Sequence, residues 1–173
     1  MTTALAPFCA PDRSDDAEVI AVPMGGMAHA RGPTQLTTVG LGSCVAVVIF
    51  APRQHMAALA HCMLPVRDLE DPSVAKFADS AVPALLALLD SNGASAPFSS
   101  ALVGGASMFP GVPTDFMRDV AGGTLSAARL ALADASIPVR VEDVGGHVGR
   151  SVVVNPVTQR VLVRTIRDGE RWL

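Results

Sequence analysis

Residues 44–61 read CVAVVIFAPRQHMAALAH, two apolar runs joined by a short polar segment. The first run is rich in β-branched side chains and predicts a buried β-strand. Pro52 suits an early position of a tight turn, so the second run is expected to return as an antiparallel partner strand. If the chain reverses about the Pro52–Arg53 bond, Cys44 lies directly opposite His61, with Cβ atoms roughly 4.5–5.5 Å apart. A register slip of one residue would place these two side chains on opposite faces of the sheet.

A cysteine and a histidine side by side form the minimum set for nucleophilic thiol catalysis. The thiolate is the reactive species, and an imidazole can draw the thiol proton and return it to the leaving group. A third group normally holds the imidazole in the correct tautomer. We predict Thr38 for this role, because the Gly-Leu-Gly segment at 40–42 supplies a bend that brings Thr38 toward the site. The alternative is that Cys44 is one more buried core cysteine and His61 a hydrogen-bonded surface residue.

An oxyanion hole requires backbone N–H groups that can approach a substrate oxygen closely, which glycines allow. Gly42 and Ser43 beside the cysteine, and Gly105 and Ser107 after a predicted strand, are the candidates for oxyanion or substrate contacts. The second pair fits a tight strand exit equally well. The cysteines and histidines lack the paired spacing of a zinc site, so we predict no metal site. Thiol hydrolysis needs no cofactor, and we expect none.

The rest of the pattern predicts an α+β domain. Apolar residues at helical spacing indicate a helix that begins near Ser80, with Pro83 in its first turn, and stops at Asn92-Gly93. Further elements are predicted as strands at 18–22, 35–39, 101–103 and 139–144, a connection at 25–33, a helix at 124–135, and a hairpin of 151–154 with 160–166. Helices beside hairpin-linked strands indicate a single domain over residues 18–173, preceded by a mobile tail at residues 1–17.

Composition excludes several classes of protein. The 173 residues carry a net charge of −3 and only 4% aromatic side chains, which argues against a nucleic-acid surface. The apolar runs are well below the roughly 20 residues that cross a bilayer, so no membrane insertion is expected. The N-terminal residues lack a signal-peptide pattern, which predicts a cytoplasmic protein. Three cysteines do not form a disulfide framework, and Cys62, next to His61 in a strand, would face away from the site.

Five ordered segments of the chain resemble the CheD family, the chemoreceptor glutamine deamidases of chemotaxis. They are GLGSCV at 40–45, AHCMLP at 60–65, KFADSAV at 76–82, VGGASMF at 103–109, and DVGG at 143–146 followed by RSV at 150–152. The resemblance implies that Cys44 is the catalytic cysteine, His61 the catalytic histidine, and Thr38 the family's threonine. One segment departs from the family: an Ile-Gly-x-Arg-Asn string is absent between residues 111 and 123, where FMRD at 116–119 is a drifted version.

The resemblance also implies a β-sandwich-like core of mostly antiparallel or mixed strands with helices outside. Its implied activity is conversion of glutamine side chains to glutamate, with release of ammonia, on the cytoplasmic helical bundle of methyl-accepting chemoreceptors. Hydrolysis of glutamyl methyl esters, binding of the phosphatase CheC, and association with membrane receptor arrays are further implications.

Two other functions stay open on the sequence. A binding module that docks on receptors or CheC with little catalysis would account for the absent Ile-Gly-x-Arg-Asn string. A thiol hydrolase acting on another protein would use the same chemistry. The intact set of Thr38, Cys44 and His61 favours an enzyme, because binding alone does not require all three.

Overall fold

The computed structural model describes residues 17–108 and 115–173. These residues form ten strands and two α-helices. In chain order they are β1 (Val19–Ala21), β2 (Met27–Arg31), β3 (Gln35–Leu41), β4 (Val45–Ala51), β5 (Met56–Cys62), α1 (Ala78–Ser91), β6 (Ser99–Gly104), α2 (Asp115–Asp134), β7 (Val139–Val144), β8 (Arg150–Asn155), β9 (Arg160–Thr165) and β10 (Gly169–Trp172).

The strands form two five-stranded sheets. The first sheet has the order β1-β3-β8-β9-β10, and the second has the order β2-β5-β4-β6-β7. The β1–β3 and β6–β7 pairs are parallel and the other strand pairs are antiparallel. The predicted α+β fold with a sandwich-like core of mixed strands is therefore confirmed.

Strands β4 and β5 are buried along their whole length because both faces of the second sheet are covered. One face packs on the first sheet, where Val48 belongs to the same buried cluster as Val152. The other face packs under the helices, where Val47 shares a cluster with Leu85 and Leu132. This double coverage explains why residues 44–61 carry continuous apolar runs and not the alternating pattern of a half-exposed strand.

The β4–β5 hairpin exists, but its predicted register is wrong by two residues. The structure pairs Ala46, and not Cys44, with His61. The connection contains a 3₁₀ turn at Pro52–Gln54, followed by His55 in the left-handed conformation with φ of 50°. The backbone N–H of His55 donates a hydrogen bond to the Pro52 carbonyl at 3.2 Å. This bond closes a loop that is longer than the predicted tight turn. A shift of two residues preserves the face of every side chain.

Other boundaries also differ from the predictions. Strand β2 occupies most of the predicted connection at 25–33; its sequence MAHAR has no β-branched residue, but all five residues pair with β5. Strand β10 was not predicted and pairs with β9. Helix α1 begins at Ala78, so Pro83 lies in the second turn. Helix α2 begins at Asp115, nine residues before its predicted start, because tertiary packing overrides the low helix propensity of the Gly-Gly pair at 122–123.

The β8–β9 hairpin and strands β1, β3, β6 and β7 agree with their predicted positions. Residues 1–16 of the predicted mobile tail lie outside the described residues. The FMRD segment at 116–119 lies in the first turns of α2. No helix within residues 17–108 or 115–173 is long and apolar enough to cross a membrane.

Candidate active site

Thr38 and His61 meet in a hydrogen bond between the two sheets. Thr38 lies in β3 of the first sheet and His61 in β5 of the second sheet. Thr38 Oγ1 and His61 Nδ1 are 2.7 Å apart, and the two residues are 2% and 0% exposed. Both partners are held by a packed sheet, so the orientation of the imidazole is fixed by the fold.

The second hydrogen bond of Thr38 determines the tautomer of His61. Thr38 Oγ1 lies 2.8 Å from the carbonyl oxygen of Val22. A carbonyl can only accept, so the single hydroxyl proton of Thr38 is donated to Val22. Thr38 must then accept from His61 Nδ1–H, which leaves the lone pair of the neutral ring on Nε2. Nε2 is buried and has no hydrogen-bond partner within the described residues, so it is available as a base.

The main chain of His61 is fixed by the turn that precedes β2. The N–H of His61 donates to the Gly26 carbonyl at 3.0 Å, and the N–H of Gly25 donates to the His61 carbonyl at 3.0 Å. Gly25 has φ of 71°, in the left-handed region that glycine adopts without strain. The Gly-Gly pair at 25–26 therefore extends the β2–β5 pairing to the histidine.

Cys44 lies immediately before β4, on the face of the second sheet that carries His61. Cys44 belongs with Ala46 to the cluster between the sheets, and Ala46 pairs with His61. Cys44 is thus the diagonal neighbour of His61 on the adjacent strand. Diagonal neighbours in an antiparallel pair lie roughly 7–8 Å apart, a distance that long or aromatic side chains can bridge. No hydrogen bond joins Cys44 to His61 in the described residues, and Cys44 is 9% exposed. The structure therefore places all three predicted residues between the two sheets, Thr38 from the first sheet and Cys44 and His61 from the second.

Burial favours the neutral forms of both reacting groups. It raises the pKa of the Cys44 thiol, an effect that the backbone N–H of Cys44 opposes in part. It lowers the pKa of the His61 imidazole. Both shifts favour the uncharged thiol and the uncharged imidazole, which fits general-base activation of Cys44 by His61 on substrate binding.

The backbone N–H groups of three predicted oxyanion candidates are already used. Gly42 N–H donates to the Gly40 carbonyl at 3.0 Å and Gly105 N–H to the Cys44 carbonyl at 2.8 Å. Ser107 N–H donates to the Gly146 carbonyl at 2.8 Å. The geometry therefore does not support these N–H groups as donors to a substrate oxygen.

Ser43 and Cys44 provide the alternative. Within the described part of the chain, neither backbone N–H makes a hydrogen bond to another residue. The backbone N–H of Cys44 partly offsets the rise in the pKa of its own thiol. Backbone donors at the nucleophile are candidates for stabilising a tetrahedral oxyanion.

Gly104 allows the segment after β6 to pack against the cysteine. Its φ of 118° lies in a region that L-residues with side chains rarely adopt. A Cβ at this position would overlap the carbonyl oxygen of Cys44. Gly104 is thus required by close backbone contact with residues 42–44, which we call the cysteine loop, and Gly105 has φ of 65°, in the left-handed region that favours glycine. Both glycines therefore fit the predicted tight exit from the strand.

Cys62 lies in a different environment from Cys44. It faces the helices and belongs to the cluster under α1, on the opposite face from His61, as predicted. It is fully buried, and this burial raises its pKa, with smaller contributions from Cys44 and Asp79. Cys62 is therefore an inert core thiol.

No group of three or more histidine, cysteine or acidic residues in the described ranges could hold a metal ion.

The sequence did not reveal the role of Val22, because that role belongs to its backbone carbonyl and not to its side chain. The role of the Gly-Gly pair at 25–26 was also missed, although two adjacent glycines before a predicted strand are a recognisable turn signal.

The model of the CheD family, described as CheD chemotactic sensory transduction, matches residues 63–165. This match begins after His61 and covers more than half of the chain, including the Gly-Gly segment at 104–105. The site residues Thr38, Cys44 and His61 precede it.

Curated relatives match most of the chain. Chemoreceptor glutamine deamidase CheD of Halalkalibacterium halodurans is 35% identical over 158 residues, which cover 89% of this chain and 98% of the relative. The probable chemoreceptor glutamine deamidases CheD of Caldanaerobacter subterraneus and Geobacillus kaustophilus are 31% and 37% identical, over 91% and 86% of this chain and 99% and 93% of their own lengths. The chain therefore belongs to the CheD family.

Proposed function

We propose that this protein is a chemoreceptor glutamine deamidase in which Cys44 is the nucleophile, His61 the general base and acid, and Thr38 the group that orients His61. The curated relatives carry this activity in their names. The observation that carries the assignment of roles is the 2.7 Å contact from Thr38 to His61, with the Thr38 proton committed to Val22.

The reaction begins when the substrate carboxamide reaches Cys44. His61 Nε2 takes the thiol proton while the sulfur forms a bond to the carboxamide carbon. The resulting oxyanion accepts hydrogen bonds from the backbone N–H groups of Ser43 and Cys44. The imidazolium then gives its proton to the nitrogen, the C–N bond breaks, and ammonia leaves a thioester.

Hydrolysis completes the cycle by the same groups. His61 Nε2 takes a proton from water as the water oxygen attacks the thioester carbon. The C–S bond breaks, the product leaves as glutamate, and the proton returns to the sulfur of Cys44. A glutamyl methyl ester would react by the same steps with methanol as the leaving group.

A groove beside the cysteine loop offers a docking surface for a protein substrate. It has a volume of about 490 Å³ and is lined in part by Gly42, Met108 and Ile166. Met108 is 42% exposed and Ile166 is fully exposed, so the groove presents large apolar side chains, and it extends to Gly42, two residues before Cys44. We assign this groove to the receptor segment that flanks the target glutamine. The helical form of that segment, the partner CheC and residence at receptor arrays remain predictions.

The test compares Cys44→Ala with Cys62→Ala on a chemoreceptor cytoplasmic fragment. Cys62 is a matched control because it is a second free thiol, buried on the opposite face of the same sheet. Mass spectrometry should detect a gain of about one mass unit at particular glutamines, with ammonia release, for wild type and Cys62→Ala only. Unchanged glutamines with wild-type protein that still binds the fragment would support the binding-module function instead.

A further inference from the structure

Arg150 makes an unusual set of hydrogen bonds next to the site. Its Nη1 donates to the carbonyls of Gly145 at 2.9 Å and Val148 at 3.0 Å, and its Nη2 donates to Asp143 Oδ1 at 3.0 Å. The Arg150 and Asp143 side chains are 10% and 7% exposed. The other carboxylate oxygen of Asp143 lies 2.7 Å from Arg171, in the last strand. One guanidinium thus fixes both ends of the loop at residues 145–148.

This loop holds the segment that follows β6. The N–H of Gly145 donates to the Gly104 carbonyl at 2.9 Å, and the carbonyl of Gly146 accepts from Ser107 at 2.8 Å. His147 Nδ1 lies 2.8 Å from the Ser107 carbonyl. Three contacts therefore join the loop fixed by Arg150 to the segment at 104–107.

The same segment supports the cysteine loop. Gly105 N–H donates to the Cys44 carbonyl at 2.8 Å, and Ala106 N–H donates to the Gly42 carbonyl at 2.7 Å. A continuous series of short hydrogen bonds thus runs from Arg150 through two loops to the main chain of Cys44.

We propose that Arg150 is a positioning residue for Cys44, acting through the loop at 145–148 and the segment at 104–107. This inference rests on the proposed function and adds a residue to the machinery of that site. Through these bonds Arg150 holds the Gly42 carbonyl and, in the same planar peptide unit, the direction of the Ser43 N–H. The bond from Gly105 to the Cys44 carbonyl holds the main chain of the nucleophile itself. Misplacement of a reacting group by about 1 Å can reduce the rate by about 100-fold.

A direct role of Arg150 in binding substrate is less consistent with its contacts. Arg150 lines the groove beside the cysteine loop, but Nη1 and Nη2 are engaged with protein acceptors and Nε is buried from solvent. A substrate carboxylate or carbonyl would have to displace one of these contacts. The two roles predict different kinetics, because a lost substrate contact raises KM, whereas a misplaced nucleophile lowers kcat.

The test uses Arg150→Lys, with Arg129→Lys as the matched control. Lysine retains the positive charge beside Asp143, but one ammonium group cannot span the three acceptors of the guanidinium. Arg129 also makes a two-bond contact to an acid, Glu142, but lies on the exposed side of α2 and outside the hydrogen-bond series. We expect Arg150→Lys to lower kcat by about 10- to 100-fold with KM unchanged, and Arg129→Lys to retain wild-type kinetics.

Hydrogen exchange supplies a readout that requires no substrate. In Arg150→Lys, exchange at the amides of Gly105, Ala106 and Ser107 should accelerate, while the amides of β4 and β5 keep their protection. A uniform acceleration over the sheets would indicate general destabilisation and would overturn the proposal. So would an unchanged kcat, or a raised KM with kcat retained. If wild type fails to deamidate receptors, the proposed function fails, and the exchange pattern still tests whether Arg150 holds the cysteine loop.

Discussion

Replacement of Thr38 by valine removes one oxygen from the centre of the site and little volume. The change takes away the acceptor of His61 Nδ1–H and the donor to the Val22 carbonyl. In the wild type, these two bonds keep the proton of the neutral imidazole on Nδ1. Without them, nothing in the described surroundings favours that tautomer, and the lone pair needed on Nε2 is present in fewer molecules.

The magnitude follows from the burial of the bond. A buried donor left without an acceptor costs about 1–3 kcal/mol, and both residues are almost fully buried. Since about 1.4 kcal/mol corresponds to a tenfold change, we expect kcat/KM of Thr38→Val to fall by about 5- to 150-fold. The free energy of unfolding should fall by about 1–3 kcal/mol through the same unsatisfied groups.

The assay is ammonia release from a chemoreceptor fragment at a temperature where urea titration shows every variant folded. Thr38→Ser retains the hydroxyl and should stay close to wild-type kinetics. Thr37→Val is the matched control, because Thr37 also lies on β3 and donates a 2.7 Å hydrogen bond, but to Val152 on the neighbouring strand. Wild-type kcat/KM in Thr38→Val, or an equal loss in Thr37→Val, would refute the orienting role of Thr38.

Three further predictions concern the surroundings of the site. Gly104→Ala should lose more stability in urea titrations than Gly93→Ala: both glycines have positive φ, costing about 1–2 kcal/mol each, but only at Gly104 does the new Cβ meet the Cys44 carbonyl. Equal losses would contradict the close packing of Gly104 against the Cys44 carbonyl. Alkylation of the Cys44 peptide by iodoacetamide, followed by mass spectrometry, should be slow at neutral pH and accelerate in alkaline solution, because burial raises the pKa of this thiol; a rate already maximal at neutral pH would indicate a preformed ion pair. Leu132→Ala should cost about 2–5 kcal/mol of unfolding free energy and Leu130→Ala less than about 0.5 kcal/mol, because the first is fully buried and the second is 63% exposed; similar losses would contradict the orientation of α2.

The elements with strong local patterns were predictable. The β-branched run of β4, the helical spacing of α1 and the two valine-rich arms of the β8–β9 hairpin each carry their periodicity within a few residues. Strands β2 and β10 were missed because their short, weakly apolar sequences become strands only by pairing with β5 and β9. The start of α2 was missed for a related reason, since its glycines are helical only in the packed structure.

The amino-acid sequence by itself determined which groups we propose for the reaction. The choice of Cys44, His61 and Thr38 follows from side-chain chemistry, from the alternation of faces in a β-hairpin and from the resemblance to the CheD family. The predicted face of each side chain stayed correct despite the two-residue error in register, because side chains alternate between faces with a period of two. The tertiary structure alone decided which groups support them. These supporting contacts depend on backbone atoms that come from distant parts of the chain. They are the hydrogen bonds to the Val22 carbonyl, those from the N–H groups of Gly105 and Ser107, and those that connect Arg150 to the cysteine loop. Backbone N–H and C=O groups are the same at nearly every residue, so only the packing of the two sheets gives each of them its role.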